Sequence, residues 1–362
     1  MIFQKCIKGK WKMNKKNNFG IIRWAGALMV IIGHMYVLLG QGTPVLLWNP
    51  IHSLGVATFF VIGGYLITHS WTKDANWVRY LVKRCFRIFP ALIFCVLVTT
   101  LIIGPLVTTL PNIKDYFSNI LTLTYLRNCL LQISYALPGV FENNIIPGTV
   151  NGSIWCLPVE FLMYLLIPIF LSIGNKIKEN VRKSYYLIVA IGIVAFGWVW
   201  TNWFYDTHYI ILGMDFSQVM QIMPYYFVGS VVAICGMEKY LNLQVAMLLL
   251  VLSSMFSLLP VKISGLLQYI IVPYIILAFA LESKPIFEKI NDLDISYGMF
   301  LFSFVIQQTL INFFLRKGVG LNIWILLLLT IVASVFAGMI TEKFIERPFG
   351  KVREICIKKI SK

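Results

Sequence analysis

Acidic side chains are few in this chain: 15 Asp and Glu in 362 residues, against 31 Lys and Arg. Charge of either sign makes up only 13% of the sequence, 59% is hydrophobic and mean hydropathy is +0.79. That balance excludes a soluble domain of this size and points to a polytopic helical membrane protein. The net charge of +16 does not call for nucleic acid, because the cations form short clusters between apolar runs along the whole chain, as loops at a membrane face do. Metal or redox cysteine spacing is missing as well. Cys6, Cys85, Cys95, Cys129, Cys156, Cys235 and Cys356 contain no C-x-x-C pair and read as free thiols, with no metal site. No A-x-A cleavage site follows the first apolar run, which carries Arg23 and His34, so it reads as a retained helix. Internal repeats, low-complexity segments and an appended soluble domain are also lacking.

What is present is a series of long apolar stretches. Ten are long enough to span a bilayer: about 20–40, 52–70, 86–109, 155–173, 185–204, 219–236, 243–260, 266–282, 295–314 and 322–344. The segment 116–133 is a difficult eleventh, carrying Arg127 and Asn128. Charge arbitrates. With a cytoplasmic N-terminus and ten crossings, the inner segments hold 23 Lys and Arg and the outer segments 5, a strong positive-inside bias. Letting 116–133 cross would put the basic GNKIKENVRKS loop outside, so it is expected to be re-entrant or interfacial at the outer face. The expected fold is all-α: a membrane bundle of about ten helices with both termini cytoplasmic. A basic segment 1–18 would precede a membrane domain 19–345, and a basic tail 346–362 would follow it.

Within the spans, two ionisable side chains lie deep, His34 and Glu160. Ionisable groups at membrane depth are costly and so mark candidate functional sites. Arg23 and His34 are eleven residues apart, about three helical turns, on one face and roughly 16 Å apart along the axis. The topology puts His34 and Glu160 each on the order of 9 Å below the outer boundary, where they could meet if their helices are neighbours. Neutral imidazole can take a proton from a hydroxyl nucleophile, and a carboxylate beside it would hold the ring and stabilise the imidazolium. Arg84 and Arg87 share a face at the opposite, cytoplasmic end, where they could grip phosphates or serve as topology anchors that snorkel. Trp155 could stack on a sugar, and His52, on the outer side with His34, could touch an acceptor. Gly63 and Gly64 fit close helix packing. Gln307, Gln308 and Asn312 give one helix a polar face, for a cavity or for interhelical bonds. Glu346, Arg347 and Pro348 are expected to end the last helix and anchor the tail by ion pairing.

Six motifs in order make a family resemblance. They are Arg23-x10-His34, GVATFFVIGGYLI at 55–67, Arg84-Cys-Phe-Arg87 before IFP, IWCLPVEFLMYLLIP at 154–168, ISYGMFLF at 295–302 and FIERPF at 344–349. The chain resembles the acyltransferase-3 family of integral-membrane acyltransferases from about residue 20 to 350. It departs in having Gly63 for a usual Ser, Cys156 for the Ser after Trp155, and Phe302 and Ser303 where a His often follows the ISY block. The resemblance implies a bacterial plasma-membrane O-acetyltransferase with acetyl-CoA as co-substrate, no bound cofactor, and a polysaccharide or lipid-linked glycan as acceptor. On that reading His34 and Glu160 are catalytic, while Arg23, Arg84 and Arg87 bind the donor. A polytopic transporter or glycan flippase is the rival class, though such proteins often show an internal repeat.

Overall fold

The computed structural model describes residues 17–204, 206–211, 214–255, 260–282 and 293–361. Its backbone is almost wholly helical, as hydrocarbon requires of chains that must satisfy their own peptide groups. In order the helices are α1 (Phe19–Leu38), α2 (Ile51–Lys73), α3 (Trp77–Val98), the short α4 (Ile113–Ser118) and α5 (Ile120–Leu126), then α6 (Cys156–Lys176) and α7 (Glu179–Trp203). There follow α8 (Phe216–Cys235), α9 (Leu243–Met255), α10 (Val261–Ala280), α11 (Ser296–Arg316), α12 (Ile323–Thr341) and α13 (Arg347–Ile360). Among the described residues nine helices are long and apolar enough to cross a membrane. The seventh expected span is the shorter apolar α9, and residues 256–259 of that span lie outside the described residues. The chain is a multi-pass membrane protein. Two antiparallel hairpins, Val45–Leu46 with Asn49–Pro50 and Ile210–Ile211 with Met214–Asp215, are its sheet content among the described residues.

Two ends differ from the sequence expectation, for local reasons. α3 begins at Trp77 rather than near 86 because its basic first turns are held in place. Asn76 caps the Arg79 amide at 3.0 Å, and Asp74 accepts from Arg79 Nε at 3.0 Å and Lys83 Nζ at 3.1 Å. Hydrogen bonds from Arg79, then Lys83, hold the Asp74 carboxyl down to about 2. The last helix does not stop at Glu346. It passes through a π turn, Glu342–Glu346, and continues as α13, with Pro348, which has no N–H to donate, directly after the change of hydrogen-bond register. The expected ion pairs are formed there: Glu346 with Arg87 and Arg347 with Glu342.

The segment 108–155 has no helix long enough to cross. Its helices have six and seven residues, and a span needs about 20. It is pinned to the bundle by buried polar side chains. The Tyr116 hydroxyl donates to the Thr100 carbonyl at 2.8 Å, inside the π turn Thr99–Ile103 that prolongs α3. Gln308 of α11 donates to the Ile146 and Thr149 carbonyls and accepts from Asn144, and Asn312 donates to Asn144. Gln307 donates to the Ile31 carbonyl of α1 at 2.7 Å. The polar face of α11 therefore works as interhelical and helix-to-loop bonding.

The bundle is centred on α2, which packs on α1, α6, α8 and α10. Missing side chains make this possible. A Cβ on Gly55 would lie 2.6 Å from the Gly26 carbonyl oxygen of α1, and one on Gly64 would lie 1.9 Å from the Tyr226 carbonyl oxygen of α8.

Candidate active site

α1 and α11 begin, and α2 ends, at the end of the bundle where α3 takes up its basic turns; the pairing of Arg23 with Asp294 fixes that common level. A cavity of about 320 Å³ opens among these helices and α6. Along α2 its lining runs from Ile67 to Val56, about 16 Å of helix. Five cations, Arg23, Lys83, Arg84, Arg87 and Arg353, face it with two carboxylates, Glu160 and Asp294. The end farthest from the basic turns is lined by Val56, Phe59, Cys156 and Phe300, with the Phe59 and Phe300 rings 5.8 Å apart edge to face.

The cations are not equivalent. Arg23 Nη1 lies 3.5 Å from Asp294 Oδ2, and Arg87 Nη1 lies 3.6 Å from the same oxygen and 3.0 Å from Glu346 Oε2. Arg87, with Arg23 behind it, holds the Asp294 carboxyl below its ordinary value. Lys83 is engaged by Asp74. Arg84 instead donates to Ser70 Oγ at 3.2 Å and lies between two rings, 5.5 Å from the Tyr80 centroid and 5.6 Å from that of Tyr164. Its Nε is buried with no hydrogen-bond partner among the described residues. The spacing of Arg84 and Arg87 marks a shared face, but the carboxylates that separate their roles come from residues 294 and 346, far along the chain.

Glu160 lies on the cavity wall and accepts a hydrogen bond from the Tyr164 hydroxyl one turn along α6. The carboxylate beside His34 that the sequence suggested is not there: among the described residues His34 and Glu160 share no hydrogen bond. His34 is buried at 9% exposure. Its Nδ1 lies 3.4 Å from Ser153 Oγ, its ring is 5.4 Å from the His52 ring, and Phe304 meets it edge-on at 5.2 Å. The reason is register. Both residues project from outer halves of their helices, but Glu160 faces the cavity side of α6 with Arg84, whereas His34 faces the turn that precedes α6.

The two places are nonetheless adjacent. On three elements the residue that lines this end of the cavity stands about one turn from a residue that touches His34: Val56 and His52 on α2, Phe300 and Phe304 on α11, Cys156 and Ser153 at the start of α6. The Cys156 thiol donates to the Ser153 carbonyl at 3.6 Å. His34 therefore sits roughly 5 Å beyond that end of the cavity. His52 does lie beside His34, and its Nδ1 is buried without a hydrogen-bond partner among the described residues. Trp155, half-buried, packs on the main core next to Cys156 and is not part of the cavity lining. Tyr164, Ser153, Asp294 and Arg353 were not singled out from sequence. Tyr164 alone had a signal, its i+4 position relative to Glu160.

A family profile for an acyltransferase domain matches residues 17–342, which include every residue of this site except those on α13 and Glu346. The chain belongs to the acyltransferase-3 family. It is thus a membrane acyltransferase, and the transporter alternative is set aside. Among its relatives is an O-acetyl transferase of Shigella phage Sf6, 26% identical over 93% of this chain and 97% of the relative. A nodulation protein 10 of Rhizobium leguminosarum is 30% identical over 52% of each chain. A peptidoglycan O-acetyltransferase of Listeria monocytogenes is 25% identical over 40% of this chain and 24% of its own length. No solved structure matches the chain.

Proposed function

We propose that the chain transfers acetyl from acetyl-CoA to a hydroxyl of a cell-surface polysaccharide or lipid-linked glycan, in a bacterial plasma membrane with the basic end of the bundle cytoplasmic. One observation carries this reading: a cavity lined by five cations against two carboxylates runs from the basic turns of α3 to within about one turn of the neighbours of a buried histidine. Such an excess of positive charge suits a ligand with several phosphates. The elongated shape suits a thioester arm that enters beyond them.

Arg84, with no carboxylate partner among the described residues, takes a phosphate directly, and Arg23 and Arg87 add to the field while tied to Asp294. The thioester carbonyl then lies at the Cys156 end. The acceptor hydroxyl approaches from the His34 side. Its oxygen attacks the carbonyl carbon as imidazole takes its proton, and the C–S bond breaks to leave the CoA thiolate, which is protonated. Ser153 and His52 set the orientation of the His34 ring. Glu160 and Tyr164 face the donor, placed to pass a proton to the departing sulfur rather than to orient the histidine. The Shigella phage and Listeria relatives are named for O-acetyl transfer, which favours acetyl over longer acyl groups. Incubating the purified chain with acetyl-CoA labelled in the acetyl group tests the reading. Label should move to water or to an added glycan, and retention of all label on CoA under every acceptor condition would refute it.

A further inference from the structure

Beyond the last span, α13 carries Arg347, Lys351, Arg353, Lys358 and Lys359 against a single Glu354. By sequence this is a basic tail held at a membrane face. The tail also has a covered side: Glu346, Gly350, Arg353 and Ile357 are partly buried, a stripe at helical spacing. That stripe packs on α3, with the Phe86 and Phe349 rings 6.4 Å apart. The other four cations of α13 are exposed, while Arg353 is half-buried and lines the cavity. Arg23, Arg87 and Lys83 have carboxylate partners. Among the described residues Arg353 has neither an ion pair nor a hydrogen bond, although the cavity already holds Arg84 and Arg87. A long arginine at a helix surface can turn to water, and crowding it against like charges is unfavourable unless an anion lies between them.

We infer that Arg353 is a donor-binding residue that grips a phosphate at the mouth of the cavity, so that α13 forms one wall of the donor site. The inference rests on the acyl-CoA reading above. Anchored by Arg353 and Arg84 at the mouth, a donor has its thioester end directed toward Cys156 and His34. The tail thereby becomes part of the binding machinery, outside the stretch matched by the family profile.

The test is acetyl-CoA binding to the purified full chain, by calorimetry, for wild type, Arg84→Gln, Arg353→Gln, Arg353→Lys and Lys351→Gln, each first checked for a monodisperse elution peak. Arg353→Gln should weaken binding at least about tenfold, the scale of one lost charge-assisted bond. Arg353→Lys should recover part of it, since the charge remains but the fork is lost. Lys351→Gln, on the exposed face, should bind as wild type. In turnover, Arg353→Gln should raise KM for acetyl-CoA and leave kcat within about threefold, because the contact is remote from the thioester. Wild-type affinity in Arg353→Gln with weakened Arg84→Gln would overturn the role of the tail alone. Equal weakening by Arg353→Gln and Lys351→Gln would replace the contact with a general field and overturn it too. Absence of acetyl-CoA binding by wild type would bring down the donor reading itself.

Discussion

Adding one methyl group at Gly64 should disrupt the enzyme far more than adding one at the neighbouring Gly63, although both face Tyr226. A Cβ at Gly64 would sit 1.9 Å from the Tyr226 carbonyl oxygen, 2.8 Å from its carbonyl carbon and 3.1 Å from the Ser230 nitrogen. These are backbone atoms of α8 and cannot rotate away. Restoring an ordinary contact of about 3.5 Å means moving α2 and α8 apart by roughly 1.5 Å. Overpacking of this kind costs about 1–3 kcal/mol. The same movement stretches the buried Thr68–Ser230 hydroxyl bond of 2.6 Å, worth about 0.5–1.5 kcal/mol. The sum for Gly64→Ala is about 1.5–4.5 kcal/mol. At Gly63 the nearest atom is Tyr226 Cε2 at 2.9 Å, the next two lie at 3.6 Å, and all belong to the ring. A small ring tilt absorbs that, so Gly63→Ala should cost about 1 kcal/mol. Thermal unfolding in detergent, read by loss of the monodisperse peak on size exclusion, separates the two. Gly64→Ala should lower Tm by roughly 3–18 °C, at about 2–4 °C per kcal/mol, and Gly63→Ala by about 2–4 °C. Since α2 also lines the cavity, Gly64→Ala should raise KM for acetyl-CoA. Equal stability of the two variants, or a more damaging Gly63→Ala, would refute the packing argument.

His34→Gln should remove acyl transfer by about 10²–10⁴-fold while acetyl-CoA binding persists, and Ser153→Ala should retain more activity than His34→Gln; near-normal turnover in His34→Gln would exclude it as the base. Glu160→Gln and Tyr164→Phe should each slow turnover, with a double variant little worse than the more damaged single one if the pair acts as a unit; losses that multiply would separate them. Reporters fused after Lys362 and inserted at Lys178 should lie on one side of the membrane and one at Asn143 on the other, and an external Lys178 would reverse the assignment of the acceptor side. Because the Asp74 carboxyl is held down to about 2 by Arg79 and Lys83, its contribution is complete above the ordinary carboxylate range near 4 and is lost as pH falls toward 2. The stability gap between wild type and Asp74→Asn should therefore shrink on acidification below about pH 4, and a gap independent of pH would show that the clamp does not work through the ionised carboxylate.

The sequence by itself determined the kind of protein and singled out residues that line its cavity or adjoin it. Long apolar runs leave a membrane chain little choice but helix, and the cost of burying charge singles out the few ionisable residues kept at depth. The distribution of positive charge argued against a crossing by segment 116–133, and its helices are too short for one. Partners within the site were not legible. Which carboxylate meets which cation depends on how helices rotate about their axes, and that rotation is set by close approaches such as Gly64 against Tyr226 and Gly55 against Gly26. It turns Glu160 toward Arg84 and Tyr164 and leaves His34 to Ser153 and His52. Asp294 precedes α11 and Arg353 follows the last span, so nothing in their local spacing connects them to Arg23, Arg84 or Arg87. Only the assembled bundle brings five cations to one cavity and carries it to within about a helical turn of the histidine's neighbours, because the distance between residues remote in sequence is a property of packing and not of spacing.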